Sequence, residues 1–177
     1  MISIEWNKQS LNSFYNKMEQ VIKEMPTRTQ NGVKNAMENV QEKALTNKRG
    51  SKDKRLIPIE FVDVDKRQIT GRVYTDKDLF SYAPFLEFGT GTKAELDHIG
   101  TTATFIASGY RYWLLPVDKV DRQFSPERIV NIKGELFYLM FATRPYPFMR
   151  PAGFSSRQES ADYINEEIGK LLVEVFR

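Results

Sequence analysis

The chain has 177 residues, of which 41% are hydrophobic and 28% charged, proportions that exclude a wholly disordered polymer. It has no cysteine and one histidine, His98, which excludes a disulfide scaffold, thiolate metal sites, cysteine nucleophiles and any two-histidine metal motif within one chain. Lysine and arginine number 26 against 23 acidic residues, a net charge of +3, too small an excess to imply nucleic-acid binding unless the basic residues cluster.

The length suits a single domain over residues 1–177. Residues 2–6 alternate Ile2, Ile4 and Trp6 with Ser3 and Glu5, the pattern of a short half-buried strand. They do not form the basic-then-apolar pattern of a signal peptide, and no apolar run approaches the length of a membrane span. Ser10 can cap a following helix. Leu11, Phe14, Tyr15, Met18, Val21, Ile22 and Met25 recur at three- and four-residue steps, and Pro26 is expected to end that helix. A second helix is predicted from Thr27 or Thr29, with Val33, Met37, Val40 and Ala44 as its stripe and Ala36 beside it, fading at Asn47.

Residues 47–56 form a polar, basic loop with a glycine. Ile57, Ile59 and Phe61 alternate with Pro58, Glu60 and Val62. Ile69, Gly71 and Val73 alternate with Thr70, Arg72 and Tyr74. With Asp65-Lys66-Arg67 as the turn, the two runs predict an antiparallel hairpin. Tyr82 to Phe88 reads as a short helix, and Gly89-Thr90-Gly91 breaks it. Residues 92–110 read as a long loop, and Tyr112 to Leu115 as a buried strand. After a polar stretch at 117–128, Ile129–Ile132 and Glu135–Ala142 flank Lys133-Gly134 as a second hairpin. Residues 144–152 hold three prolines and are expected to be extended, an arm leading into the last helix. Ser155 or Ser156 can cap that helix, which Ala161, Ile164, Ile168, Leu171, Leu172 and Val175 line on one side. The expected fold class is α+β: an antiparallel sheet of about four to five strands, two N-terminal helices, a C-terminal helix and long loops.

Catalytic constellations are hard to find. Asp97-His98 could supply a general base, but no nucleophile motif accompanies it, and a loop histidine is the plainer reading. Gly89-Thr90-Gly91-Thr92-Lys93 lacks the spacing of a phosphate loop. Glu166 and Glu167 read as solvated helix charges. No catalytic residue, metal or cofactor is expected. The basic run Lys48, Arg49, Lys52, Lys54 and Arg55 is a candidate docking loop for phosphates or an acidic protein face, against a plain reading as a solvated loop. With residues 92–110 it is expected to be mobile in the free subunit and to order on docking.

Two aromatic and proline clusters remain. Tyr82-Ala83, followed by Phe85-Leu86-Glu87-Phe88-Gly89-Thr90, resembles the Tyr-Ala-x-x-x-Glu-x-Gly-Thr signature of the tailed-phage neck proteins, the head–tail joining or tail-completion family. Pro147-Phe148-Met149-Arg150-Pro151-Ala152 resembles that family's second signature, Pro-Phe-x-x-Pro-Ala, before its last helix. The order of elements agrees over roughly residues 10–176, while 92–143 is longer than expected and shares no motif with the family.

The resemblance implies a non-enzymatic virion structural protein, similar in shape to tail terminators and assembled in the host cytoplasm. It implies a homo-oligomeric ring, in the family commonly hexameric, between the head connector and the tail tube. DNA would pass through the lumen without specific readout, and no membrane is involved. A tail terminator ring capping the tube is the alternative, and a DNA-binding module a further one. The subunit and partner contacts are expected at Tyr82, Phe85, Glu87, Phe88, Gly89, Pro147, Phe148, Arg150 and Pro151. A carboxylate in an apolar run needs a partner. Arg150 is expected to provide it for Glu87, from the same subunit or a neighbour. Losing either is expected to weaken ring assembly more than folding.

Overall fold

The structure, a computed structural model, describes residues 7–64, 68–80, 82–95, 111–119 and 128–177. The expected strand at 2–6, the turn at 65–67, Asp97-His98 and most of the loops 92–110 and 117–128 lie outside the described residues. The class is α+β. The described chain falls into two compact units, one running to Asp76 and joined by Pro151–Arg177, the other Lys77–Arg150.

The first unit is built on one long helix, α1 (Lys8–Asn47), which packs antiparallel against the C-terminal helix α4 (Arg157–Phe176). Asn7, not Ser10, caps α1: its side chain accepts a hydrogen bond from the Ser10 N–H at 2.7 Å. The two helices expected on either side of Pro26 are one. A proline inside a helix strips the carbonyl four residues back of its donor. That carbonyl belongs to Ile22, which is 68% exposed, so water can satisfy it. Packing then holds both sides of the break: Val21 meets Leu171 and Val175 before the proline, and Arg28 pairs with Glu167 and Glu174 after it.

Gly32 is the close approach between the helices, because a Cβ there would stand 2.7 Å from the Ile164 Cα. Further on, Lys43 (2.5 Å) and Asn39 (2.6 Å) both donate to the Glu159 carboxylate, and these bonds hold its pKa below the ordinary carboxylate range. Glu167 departs from the solvated reading. It is 9% exposed and takes a 2.8 Å bond from Lys170, with Arg28 3.9 Å away. Glu166 keeps to solvent and pairs with the same Lys170.

The hairpin of β1 (Ile59–Val64) and β2 (Ile69–Val73) forms as expected and lies on α1, with Gly71 against Val33 and Met37. A bulge at Val62 shifts its register between Phe61 and Asp63. Gln41, buried in α1, donates to the Ile57 carbonyl at 2.7 Å and fixes where the hairpin begins.

In the second unit β3 (Tyr112–Pro116), β4 (Ile129–Ile132) and β5 (Glu135–Phe141) make a three-stranded antiparallel sheet in the order β3-β5-β4. Lys133 and Gly134 both have positive φ, 54° and 89°, as a two-residue hairpin turn of that twist requires. Among the described residues the expected single sheet of four to five strands is replaced by two sheets, the larger of three strands. Each hairpin forms locally, and nothing local makes two hairpins share an edge.

Candidate functional site

Helix α2 (Ala83–Phe88) carries the first signature. Pro84 suits its first turn, where the missing N–H costs nothing. Ala83 and Glu87 stand one turn apart on its buried side. Gly89 ends the helix at φ 76° and ψ −169°, a region essentially restricted to glycine. No side chain could fit there in any case, since a Cβ would lie 2.6 Å from the Thr143 carbonyl oxygen and 2.8 Å from the Pro145 nitrogen.

That close approach threads the two signatures together. The Thr90 N–H donates to the Thr143 carbonyl at 2.8 Å, and the Thr143 N–H donates back to the Thr90 hydroxyl at 2.9 Å. The Tyr146 N–H donates to the Leu86 carbonyl at 2.7 Å. Phe80 stacks on Phe148 with ring centres 5.5 Å apart and meets Tyr82 edge-on at 4.8 Å.

The proline arm is extended only as far as Pro147. From Met149 the chain is already helical, in α3 (Met149–Ser155). The prolines do not forbid this, because Pro151 falls in the first turn, where amides lack helical partners anyway. Glu87 supplies partners for the rest. Its carboxylate accepts from the backbone N–H of Phe148 (2.7 Å), Met149 (3.0 Å) and Arg150 (3.0 Å), and from the Arg150 Nε at 3.0 Å. The next residue, Pro151, has no N–H to satisfy. A carboxylate contributed by a distant segment therefore does the work of a helix N-cap.

Arg150 completes the arrangement. Its two terminal nitrogens grip the Glu95 carboxylate at 3.0 and 2.6 Å, and the guanidinium lies 4.9 Å from the centre of the Phe88 ring. The Glu95 bonds, and after them Glu87, hold the guanidinium further above its ordinary pKa, with burial opposing. One arginine balances two carboxylates, and three backbone amides share the remaining charge on Glu87.

The partner expected for Glu87 is therefore Arg150 of the same chain. Glu87 is 5% exposed, and its loss strands amides inside its own unit, so a direct cost to folding is expected alongside any effect on assembly. Among the residues expected to make contacts, Glu87, Phe88, Gly89 and Phe148 are buried and Arg150 is half-buried; these five build the clasp. Tyr82, Phe85, Pro147 and Pro151 are exposed. Sequence reading missed Glu95 and the Thr90–Thr143 pair. Glu95 stands in a stretch without periodicity, and a threonine after glycine gives no sign of a partner 53 residues away.

Two of the five basic residues of the candidate docking loop fold back onto the chain. Lys48 is 2% exposed and donates to the Arg49 and Ser51 carbonyls at 3.1 and 2.6 Å. Lys52 reaches back to the carbonyls of Leu45, Thr46 and Lys48 at the end of α1. Arg55 grips Asp53 and Lys54 pairs with Glu42, while Arg49 is exposed. Lys52 thus caps the end of α1, where unpaired carbonyls attract an ammonium group within reach, and Lys48 is buried, while Arg49, Lys54 and Arg55 stay at the surface.

Among the described residues no cluster of three or more His, Cys, Asp or Glu could hold a metal ion. No described helix is long and apolar enough to cross a membrane. No family model, curated protein or solved structure matches the chain.

Proposed function

We propose that this chain is a non-enzymatic structural protein of a tailed-phage virion, a ring-forming neck component that joins the tail to the head. The clasp carries the reading. The glutamate of the first signature holds the backbone at the start of the second, so two short motifs about 60 residues apart are halves of one device. The pairing gives a physical reason for both to occur in one chain in that order. The clasp also presents Tyr82, Phe85 and Pro147 at the surface on a rigid base, as a subunit contact wants. Connector proteins on the head side and tube proteins on the tail side are the partners this implies.

Particles purified from the host carrying the gene decide the matter. Mass spectrometry is expected to find the chain in whole virions, and labelled antibody to mark the neck. Deletion is expected to leave filled heads beside separate tails of normal length. Tails of uncontrolled length would favour the terminator reading instead. Virions that lack the chain would overturn both.

A further inference from the structure

The first half of α1 carries an apolar stripe distinct from the one that meets α4. Leu11, Tyr15, Met18, Ile22 and Met25 are spaced four, three, four and three residues apart, the 3.5-residue repeat of a coiled-coil seam. Leu11 is 38% exposed, Tyr15 58%, Ile22 68% and Met25 36%. The face that α4 covers is marked instead by Phe14, Val21, Arg28 and Gly32, through their contacts with Phe176, Leu171, Glu167 and Ile164. At 100° per residue the centres of the two faces lie about 75° apart around the helix. A helix with two neighbours in a four-helix bundle is likewise contacted on two adjacent faces. Beyond Pro26 the β1–β2 hairpin takes over that side of α1, where Gly71 meets Val33 and Met37.

We propose that the seam is an interface between two copies of this chain, α1 against α1, closing two helix pairs into a four-helix arrangement. Among the described residues α4 is the neighbour of this half of α1, and an identical copy supplies the other. No seam residue is charged, so identical faces meet without repulsion. Along this half of α1, Lys17, Glu19, Lys23 and Glu24 alternate in sign and cancel, and Lys8 at the helix start adds a single positive charge. With Phe14 and Phe176 at its rim, 43% and 40% exposed, the face offers on the order of 1,000 Å2 of buried area over both copies, enough for a reversible dimer.

The full-length protein tests this directly. Sedimentation equilibrium between about 1 and 100 μM is expected to show a reversible dimer. Ile22→Glu is expected to raise its dissociation constant at least about tenfold, with the helical signal unchanged and the melting temperature unchanged at a concentration where both proteins are monomeric, because Ile22 is exposed in the single chain. The natural chain has no cysteine, so Met18→Cys places a single thiol at the middle of the seam and Gln20→Cys a control outside it. Air oxidation is expected to link the first variant into a covalent dimer and to leave the second largely unlinked. A wild-type protein that stays monomeric at the highest concentration overturns the proposal. So does a dimer indifferent to Ile22→Glu, or one that links through Gln20→Cys as readily as through Met18→Cys. The virion reading is judged on purified particles and stands or falls separately.

Discussion

Replacing Glu87 by alanine removes the acceptor for three backbone amides and one guanidinium nitrogen at once. A hydrogen bond to a charged group contributes about 1.5–3 kcal/mol net, and a stranded buried donor costs about 1–3 kcal/mol. Only the Phe148 bond is fully buried; those of Met149 and Arg150 are part-buried, so water can recover part of their loss. The expected destabilisation is about 4 kcal/mol, or about 8–16 °C in Tm for a chain of this length. Glu87→Gln keeps one oxygen but not the charge, and half that loss is expected. Arg150→Met leaves the amides capped and is expected to cost least, since the arginine side chain is 35% exposed. Thermal and urea unfolding, followed by near-ultraviolet circular dichroism, would give the order. An alanine variant that melts within about 2 °C of wild type refutes the clasp. A loss for Arg150→Met as large as for Glu87→Ala would mean that the ion pair, and not the capping of amides, holds the two segments.

Gly89→Ala is expected to cost at least about 3 kcal/mol, because the backbone is in a glycine-only region and the new methyl meets main-chain atoms that cannot swing aside; a soluble variant with wild-type urea midpoint would contradict this. Gly32→Ala gains about 1 kcal/mol of helix propensity yet is expected to lose about 1–3 kcal/mol net, since its Cβ meets the Ile164 backbone. Gly71→Ala meets the flexible Met37 thioether and Val33 side chain, and should cost less in the same assay. Ser156 stands at the N-cap of α4, but its hydroxyl is buried and has no hydrogen-bond partner among the described residues. Ser156→Ala is therefore expected to leave stability unchanged or raise it by up to about 1 kcal/mol, against the usual loss for a capping serine; a Tm fall of several degrees would show that the hydroxyl is bonded. The Lys43 and Asn39 bonds lower the Glu159 pKa on folding, so their contribution is complete above the ordinary carboxylate range and is lost as pH falls through the lowered value. Glu159→Gln should therefore make the acid limb of the stability–pH curve less steep and leave its slope near neutrality unaltered.

Periodicity alone determined much of this chain. The apolar steps of α1, the alternation in the first hairpin and the Lys133-Gly134 turn of the second are local signals, and helix and hairpins formed on those residues, with Pro26 the exception. The Glu87–Arg150 pairing was also legible, because a carboxylate among Phe85, Leu86 and Phe88 demands a counter-charge. Tertiary structure decided what local preference gets wrong. Pro26 stays inside a helix because α4 braces both sides of it. Lys52 turns back because the end of α1 leaves carbonyls unpaired. Glu87 became a helix cap because folding carried α2 to the first turn of α3. Those outcomes depend on which groups meet across long stretches of chain, and neighbour-to-neighbour patterns hold no record of such meetings.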